Sequence, residues 1–197
     1  TPKLLMLSGI GPATHLYDKG VKVIHDLPGV GQNLQDHIEV SLINELRRPL
    51  SYDKYKKPHW KIAAGLQYAL FRQGPVTSNV VEGGAFWRTA LAENRADAQY
   101  CFMAGAGVEA GVVSVPGGNG CTLNVCQTRP RSTGTVQLRS ADAMDFPSIT
   151  PNYLTEPFDV ECMVQATEFG RHIMSQSAMA GHILREHVPA EPLRTRD

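Results

Sequence analysis

Between Phe158 and Met174 the apolar residues Met163, Ala166, Gly170, Ile173 and Met174 recur at i, i+3, i+7, i+10 and i+11. This is the spacing of one face of an α-helix, so the stretch predicts one long amphipathic helix whose apolar stripe has to be covered. Segments earlier in the chain carry a different period. Val40, Leu42 and Leu46 alternate with Glu39, Ser41 and Glu45, as in a strand with one buried face. Ala98–Met103, Cys121–Thr128 and Thr135–Arg139 are further strand candidates, the last with Val136 and Leu138 inward against Gln137 and Arg139.

Helix signals frame these strands. Thr1 and Pro2 suit the start of a short helix through Leu4, Leu5 and Leu7 that Gly9 can end; Pro12 opens a second, which Gly20 closes before Val21, Val23 and Ile24. Residues 47–58 are basic, bear tyrosines and lie between prolines, so they predict a surface loop. Trp60–Phe71 has helical spacing through Ile62, Leu66, Ala69 and Leu70 and stops at Gly74-Pro75, and a shorter helix is expected over Ala178–His187. Strands and helices do not alternate as βαβ units. The expected class is therefore α+β, a mainly antiparallel sheet backed by the Trp60–Phe71 and Phe158–Met174 helices.

Whole-chain charge narrows the partners. The 19 basic and 19 acidic side chains leave no net field to attract nucleic acid or an anionic membrane. Apolar runs such as Ile62–Phe71 are too short and too interrupted to cross a bilayer, which needs about 20 residues. Cys101, Cys121, Cys126 and Cys162 form no C-x-x-C pair, which suits reduced thiols and a cytoplasmic setting. Thr1-Pro2-Lys3 is no signal peptide, and the chain has the look of part of something larger.

Four motifs bear on chemistry. "SGIGPATHL" and "PGVGQNL" each contain G-x-G, but the third glycine of a dinucleotide loop is replaced by Thr14 and Leu34, so turn and capping roles fit these glycines better. "HILREH" has one residue too many for the inverted zinc motif; on a helix His182 and His187 would lie about 140° apart, so no metal site is expected and His182 with Glu186 forms a surface pair. Glu82 stands between Val80-Val81 and Gly83-Gly84-Ala85-Phe86, either on the exposed face of an edge strand or lining a substrate cavity. Asp36 and His37, after the turn "LPGVGQN", fit local backbone bonding as well as a site role.

Several stretches together resemble the glucose–methanol–choline (GMC) family of FAD-dependent alcohol oxidoreductases. "TPKLLMLSGIGP" resembles most of the family's second signature, and "GVKVIHDLPGVGQNLQDH" resembles the segment that follows it. "RPRSTGTVQLRSADAMDFPSITPNYLTEPFD" is similar to the hairpin and P-x-I-x-P-N-Y-L stretch of the substrate domain, and "GPVTSNVVEGGAFWR" matches more loosely.

The resemblance implies an enzyme that oxidises an alcohol to an aldehyde or ketone, a histidine taking the hydroxyl proton while the α-hydrogen passes as hydride to the flavin. It implies that residues 1–37 are a helical remnant of the FAD domain with the crossover, and that residues 38–197 are the substrate-binding domain. The family's nucleotide loop would lie upstream and its H-P-x-G-T-x-x-M-G segment, with the catalytic histidine, downstream. No catalytic residue is therefore assigned within the chain. The isolated chain is expected to be inactive and not to retain FAD; its expected partners are a small-molecule alcohol and the remainder of the FAD domain. Glu82 falls where choline-oxidising members place a glutamate against the trimethylammonium group, so a choline-like substrate is admitted. Asn33, Asp36 and His37 match the family's N-L-x-D-H and take a cofactor-neighbouring position without proton transfer. The alternative is a stand-alone, non-catalytic small-molecule binding module, which coding sequence on either side would distinguish.

Overall fold

The computed structural model describes residues 1–106 and 114–189. In chain order the elements are α1 (Pro2–Leu7), β1 (Ile10–Gly11), α2 (Ala13–Asp18), β2 (His25–Asp26), β3 (Glu39–Leu46), a 3-10 turn (Tyr52–Lys56), α3 (Pro58–Phe71), a second 3-10 turn (Pro75–Thr77), β4 (Val81–Trp87), β5 (Ala98–Met103), β6 (Gly120–Gln127), β7 (Thr135–Gln137), β8 (Ser148–Thr150), α4 (Pro157–Met174), α5 (Ser177–Ala180) and β9 (Ile183–Val188). They form two compact units. One comprises residues 1–38 with 129–161, the other 39–128 with 162 onward. A single division near residue 37 describes one of three crossings between them.

The larger unit is the antiparallel sheet predicted from the strand periods. Its order is β4-β5-β6-β3-β9, every pair antiparallel. One face of β3, β5 and β6 brings together Leu42, Ala98, Tyr100, Cys121, Leu123 and Val125, and the α4 stripe covers it through Ala166 and Met174. Gly170 faces this layer so closely that a Cβ there would stand 3.0 Å from both Leu42 and Val125. Phe169 stacks on Trp87 at 4.2 Å, and the buried Tyr100 hydroxyl donates to the Ala166 carbonyl at 2.9 Å. Each large side chain buried here contributes about 1.5–3 kcal/mol. Burial also holds the Tyr100 hydroxyl well above its ordinary range and pushes the Cys121 thiol up to about 12.

Two expectations are corrected in this unit. The helix predicted over Ala178–His187 is instead the four-residue α5 followed by β9, which pairs with the free edge of β3. Two ion pairs suit the strand: Arg185 Nε donates to Glu45 at 2.9 Å, and Arg171 donates to Glu186 at 2.9 Å. Glu186 thus meets an arginine of α4 rather than His182. The second correction concerns α3. It is helical as its spacing predicts, but it packs on the two 3-10 turns and buries Ala64, while Ile62, Leu66 and Leu70 are exposed.

The smaller unit has a core of Met6, Leu16, Val30 and Leu138. β1 and β2 pair in parallel, and β7 and β8 form a short antiparallel pair. The buried Asp159 carboxylate accepts from the backbone N–H of Arg131 at 2.9 Å and of Ser132 at 2.7 Å. Gly31 is required by its backbone: φ is +79°, and a Cβ would lie 2.1 Å from the Val136 carbonyl oxygen. Gly31→Ala is expected to lower the unfolding free energy by about 2 kcal/mol or more, read from denaturant unfolding; an unchanged midpoint would contradict this account of the turn. Among the described residues, no helix is long and apolar enough to cross a membrane.

Candidate functional site

Glu82 lies on β4, the edge strand opposite β9. The pairing of β4 with β5 shifts between Val81 and Gly83, so Glu82 occupies a bulge with no rung partner. The approach to it is strained: Val80, a β-branched residue, has φ +75°. Its N–H donates to the Ser78 hydroxyl oxygen at 2.8 Å, and that hydroxyl donates to Glu82 Oε1. The Tyr52 hydroxyl donates to the same oxygen.

These two bonds shift both groups, the glutamate down and the tyrosine up. The hydrogen bond from Ser78, and after it the one from Tyr52, holds the Glu82 carboxyl below its usual range, while the carboxylate beside Tyr52 raises the phenol. The proton stays on the tyrosine and the charge on the glutamate. Tyr52 and Val80, which hold and precede Glu82, are also walls of a cavity of about 490 Å³ whose other lining includes Tyr55, Lys61, Ala64 and Val76. Tyr55 stands edge-on to Trp60 with ring centroids 6.2 Å apart. Glu82 itself is exposed on the sheet edge and does not line this cavity, whose wall also carries Asp53 and Lys56; a carboxylate so placed is available to a cationic or hydroxyl-bearing ligand.

Sequence reasoning missed what holds this wall in place. Asp53 is buried and accepts from the backbone N–H groups of Gly120 at 2.9 Å and Ala106 at 3.1 Å, and from the Ser51 hydroxyl at 2.9 Å; Lys56 Nζ stands 2.7 Å away. Lys56 also donates to the Ala106 carbonyl at 2.6 Å. The basic stretch is thus a turn fastened to the ends of β5 and β6. Its one sequence signal is an acid two residues after Ser51, in the Ser-x-Asp spacing of a helical cap, where the Asp53 N–H approaches the Ser51 hydroxyl at 3.4 Å.

Asn33, Asp36 and His37 lie in the smaller unit, all exposed. Asn33 takes a left-handed conformation, φ +57°. Asp36 accepts from the His37 backbone N–H at 3.0 Å and from the Tyr153 hydroxyl, and this second bond raises the Tyr153 phenol above its ordinary value. The structure therefore gives the Asp36 carboxylate a local backbone partner and a tyrosine. For an FAD, this loop offers side chains able to border a flavin and no cradle for its pyrophosphate. Gly9 and Gly31 of the two G-x-G pairs are occupied by protein instead, with the Lys22 carbonyl oxygen 2.5 Å from where a Cβ of Gly9 would stand and that of Val136 2.1 Å from Gly31's. Among the described residues no group of three His, Cys, Asp or Glu side chains is placed to hold a metal.

Two family models described as GMC oxidoreductase match residues 1–39 and 130–197. The chain is 37% identical to an alcohol dehydrogenase (acceptor) of Pseudomonas putida, over 100% of its own length and 36% of that protein. It is 38% identical to an oxygen-dependent choline dehydrogenase of Sinorhizobium medicae, over 99% of its length and 35% of that protein. Formate oxidase of Aspergillus oryzae superposes on 99% of the chain with a TM-score of 0.90 at 26% identity, which is 39% of the formate oxidase chain. The chain thus spans roughly a third of the length of the curated relatives it matches.

Proposed function

Because the chain belongs to the GMC oxidoreductase family, we propose that it supplies the substrate-binding unit, with a flavin-side segment, of an FAD-dependent alcohol oxidoreductase. The unit of residues 39–128 and 162 onward binds the substrate. Residues 1–38 go with the flavin domain, and with them residues 129–161, which the resemblance alone put in the substrate domain but which share a compact unit with 1–38; Asn33, Asp36 and His37 border the cofactor there. FAD supplies the hydride acceptor that turns an alcohol into an aldehyde or ketone. The residues of this chain bind and orient the alcohol; none is assigned the proton-transfer role.

The observation that carries this reading is Glu82, an exposed carboxylate at the sheet edge that accepts from the Tyr52 and Ser78 hydroxyls, Tyr52 being also a wall of the neighbouring cavity. A carboxylate so placed favours an alcohol with a cationic head, and relatives named choline dehydrogenase support that class. Thiols at Cys101, Cys121, Cys126 and Cys162, with no disulfide among them, support a reducing, cytoplasmic setting.

Flavin absorption tests the proposal. The purified 197-residue chain is expected to carry no flavin band, because Gly9 and Gly31 each face a protein carbonyl and neither G-x-G is completed to a dinucleotide loop. The whole protein that carries these residues is expected to be yellow and to bleach when an alcohol is added without an electron acceptor. Near-stoichiometric flavin in the 197-residue chain would overturn the division of labour, and a holoprotein that no alcohol bleaches would overturn the activity.

A further inference from the structure

Three charged residues stand in the wall of the cavity of about 490 Å³: Asp53, Lys56 and Lys61. Two of them cancel. Asp53 Oδ1 lies 2.7 Å from Lys56 Nζ, and the same carboxylate accepts from the N–H groups of Ala106 and Gly120. Lys61 is left over, since among the described residues no acid pairs with its ammonium. The wall therefore carries one uncompensated positive charge, set among two tyrosines, two valines, Ala64 and Pro75.

Helical geometry keeps this charge on the cavity side. Lys61 and Ala64 stand about 60° apart around α3 and both line the cavity, on the side where the helix packs on the two 3-10 turns. Leu66 and Leu70, about 140° and 180° round from Lys61, are exposed. Lys61 is itself accessible, so its ammonium is open to a ligand. Glu82 lies outside the cavity but is tied to it by Tyr52, whose hydroxyl donates to the carboxylate and whose side chain is part of the wall. A ligand resting on Tyr52 thus meets a carboxylate beyond that wall and an unpaired ammonium within it.

In a small-molecule cavity with a mostly apolar wall, the few charged groups fix the ligand's orientation and its class. An unpaired ammonium there gains from a carboxylate and loses when a second cation is set against it. We propose that Lys61 is a specificity-determining residue that receives a carboxylate of the substrate. The proposal rests on the reading of this unit as the alcohol-binding part of the enzyme, and it narrows the substrate class. The alcohol carries a cationic head for Glu82 and a carboxylate for Lys61, so it is a zwitterion.

Calorimetric titration of the whole protein with two probes tests this: carnitine, a trimethylammonium alcohol with a carboxylate, and carnitine methyl ester, in which that carboxylate is masked. Carnitine is expected to bind about fivefold more tightly than the ester. Lys61→Met keeps the aliphatic stem and should erase the preference, whereas Lys61→Arg should retain it. The position is exposed, so circular dichroism should be unchanged in both variants. Equal affinity of the unaltered protein for the two probes, binding of neither, or a preference that survives Lys61→Met would overturn the proposal. Flavin bleaching separates this outcome from the reading beneath it. A holoprotein that no alcohol bleaches, yet prefers carnitine through Lys61, would overturn the oxidation and leave the carboxylate site standing.

Discussion

Asp53→Ala is expected to lower the unfolding free energy by about 3–4 kcal/mol. The cost comes from what the carboxylate leaves behind. The N–H groups of Ala106 and Gly120 lose their acceptor at the ends of β5 and β6, in a buried setting where each orphaned donor costs about 1–3 kcal/mol. Lys56 adds less, since half of its side chain is exposed and solvent screens the pair. Asp53→Asn keeps one acceptor oxygen and should recover part of the loss, whereas Lys56→Met should cost about 1 kcal/mol or less. Denaturant unfolding of the three variants separates the contributions; a loss under about 1 kcal/mol for Asp53→Ala would mean that the turn is not held by this carboxylate. Tyr52 precedes Asp53 directly, so the alanine variant should also loosen the hydroxyl that holds Glu82.

The parts of this fold that were legible in the sequence are those where burial and period agree. β3, β5 and β6 present one apolar face to α4, so their alternation survives in the residue order, and the α4 stripe reads cleanly because a single sheet face covers it. β9 was misread because Ile183–Val188 is an edge strand whose partner, β3, lies far away in sequence; nothing in Leu184-Arg185-Glu186 opposes a helix until Glu45 and Arg171 are in place. α3 shows the converse, a correct helix whose buried side was misassigned. An apolar period states which residues share a face and is silent on whether protein covers it. The site divides in the same way. Glu82 was visible as an acid in a small-residue strand, but the bulge that frees it from the ladder and the hydroxyls of Tyr52 and Ser78 come from separate elements. Asp53 was hidden because the partners that fasten it to β5 and β6, the Ala106 and Gly120 N–H groups, are backbone groups, which leave no mark on residue identity.

Glu82→Gln in the whole enzyme is expected to raise KM for a cationic alcohol by about tenfold while changing that for a neutral alcohol of similar size far less. Glutamine keeps an oxygen that can still accept from Ser78 and Tyr52, so the bulge and cavity wall should persist and the change isolates the charge. The pH dependence follows from the direction of the shift. A carboxyl held below its ordinary value carries its charge above that lowered value, so affinity for the cation should persist through the usual carboxylate range and disappear only as the pH falls below it. Removing one of the donors moves that limit upward. Ser78→Ala should move it further than Tyr52→Phe, because the serine hydroxyl is the larger cause of the depression. KM–pH profiles with both substrate types decide the matter. Equal KM increases for cationic and neutral alcohols would remove the cation-binding role, and an acid limb unmoved by Ser78→Ala would show that the hydroxyl pair does not set the charge on Glu82.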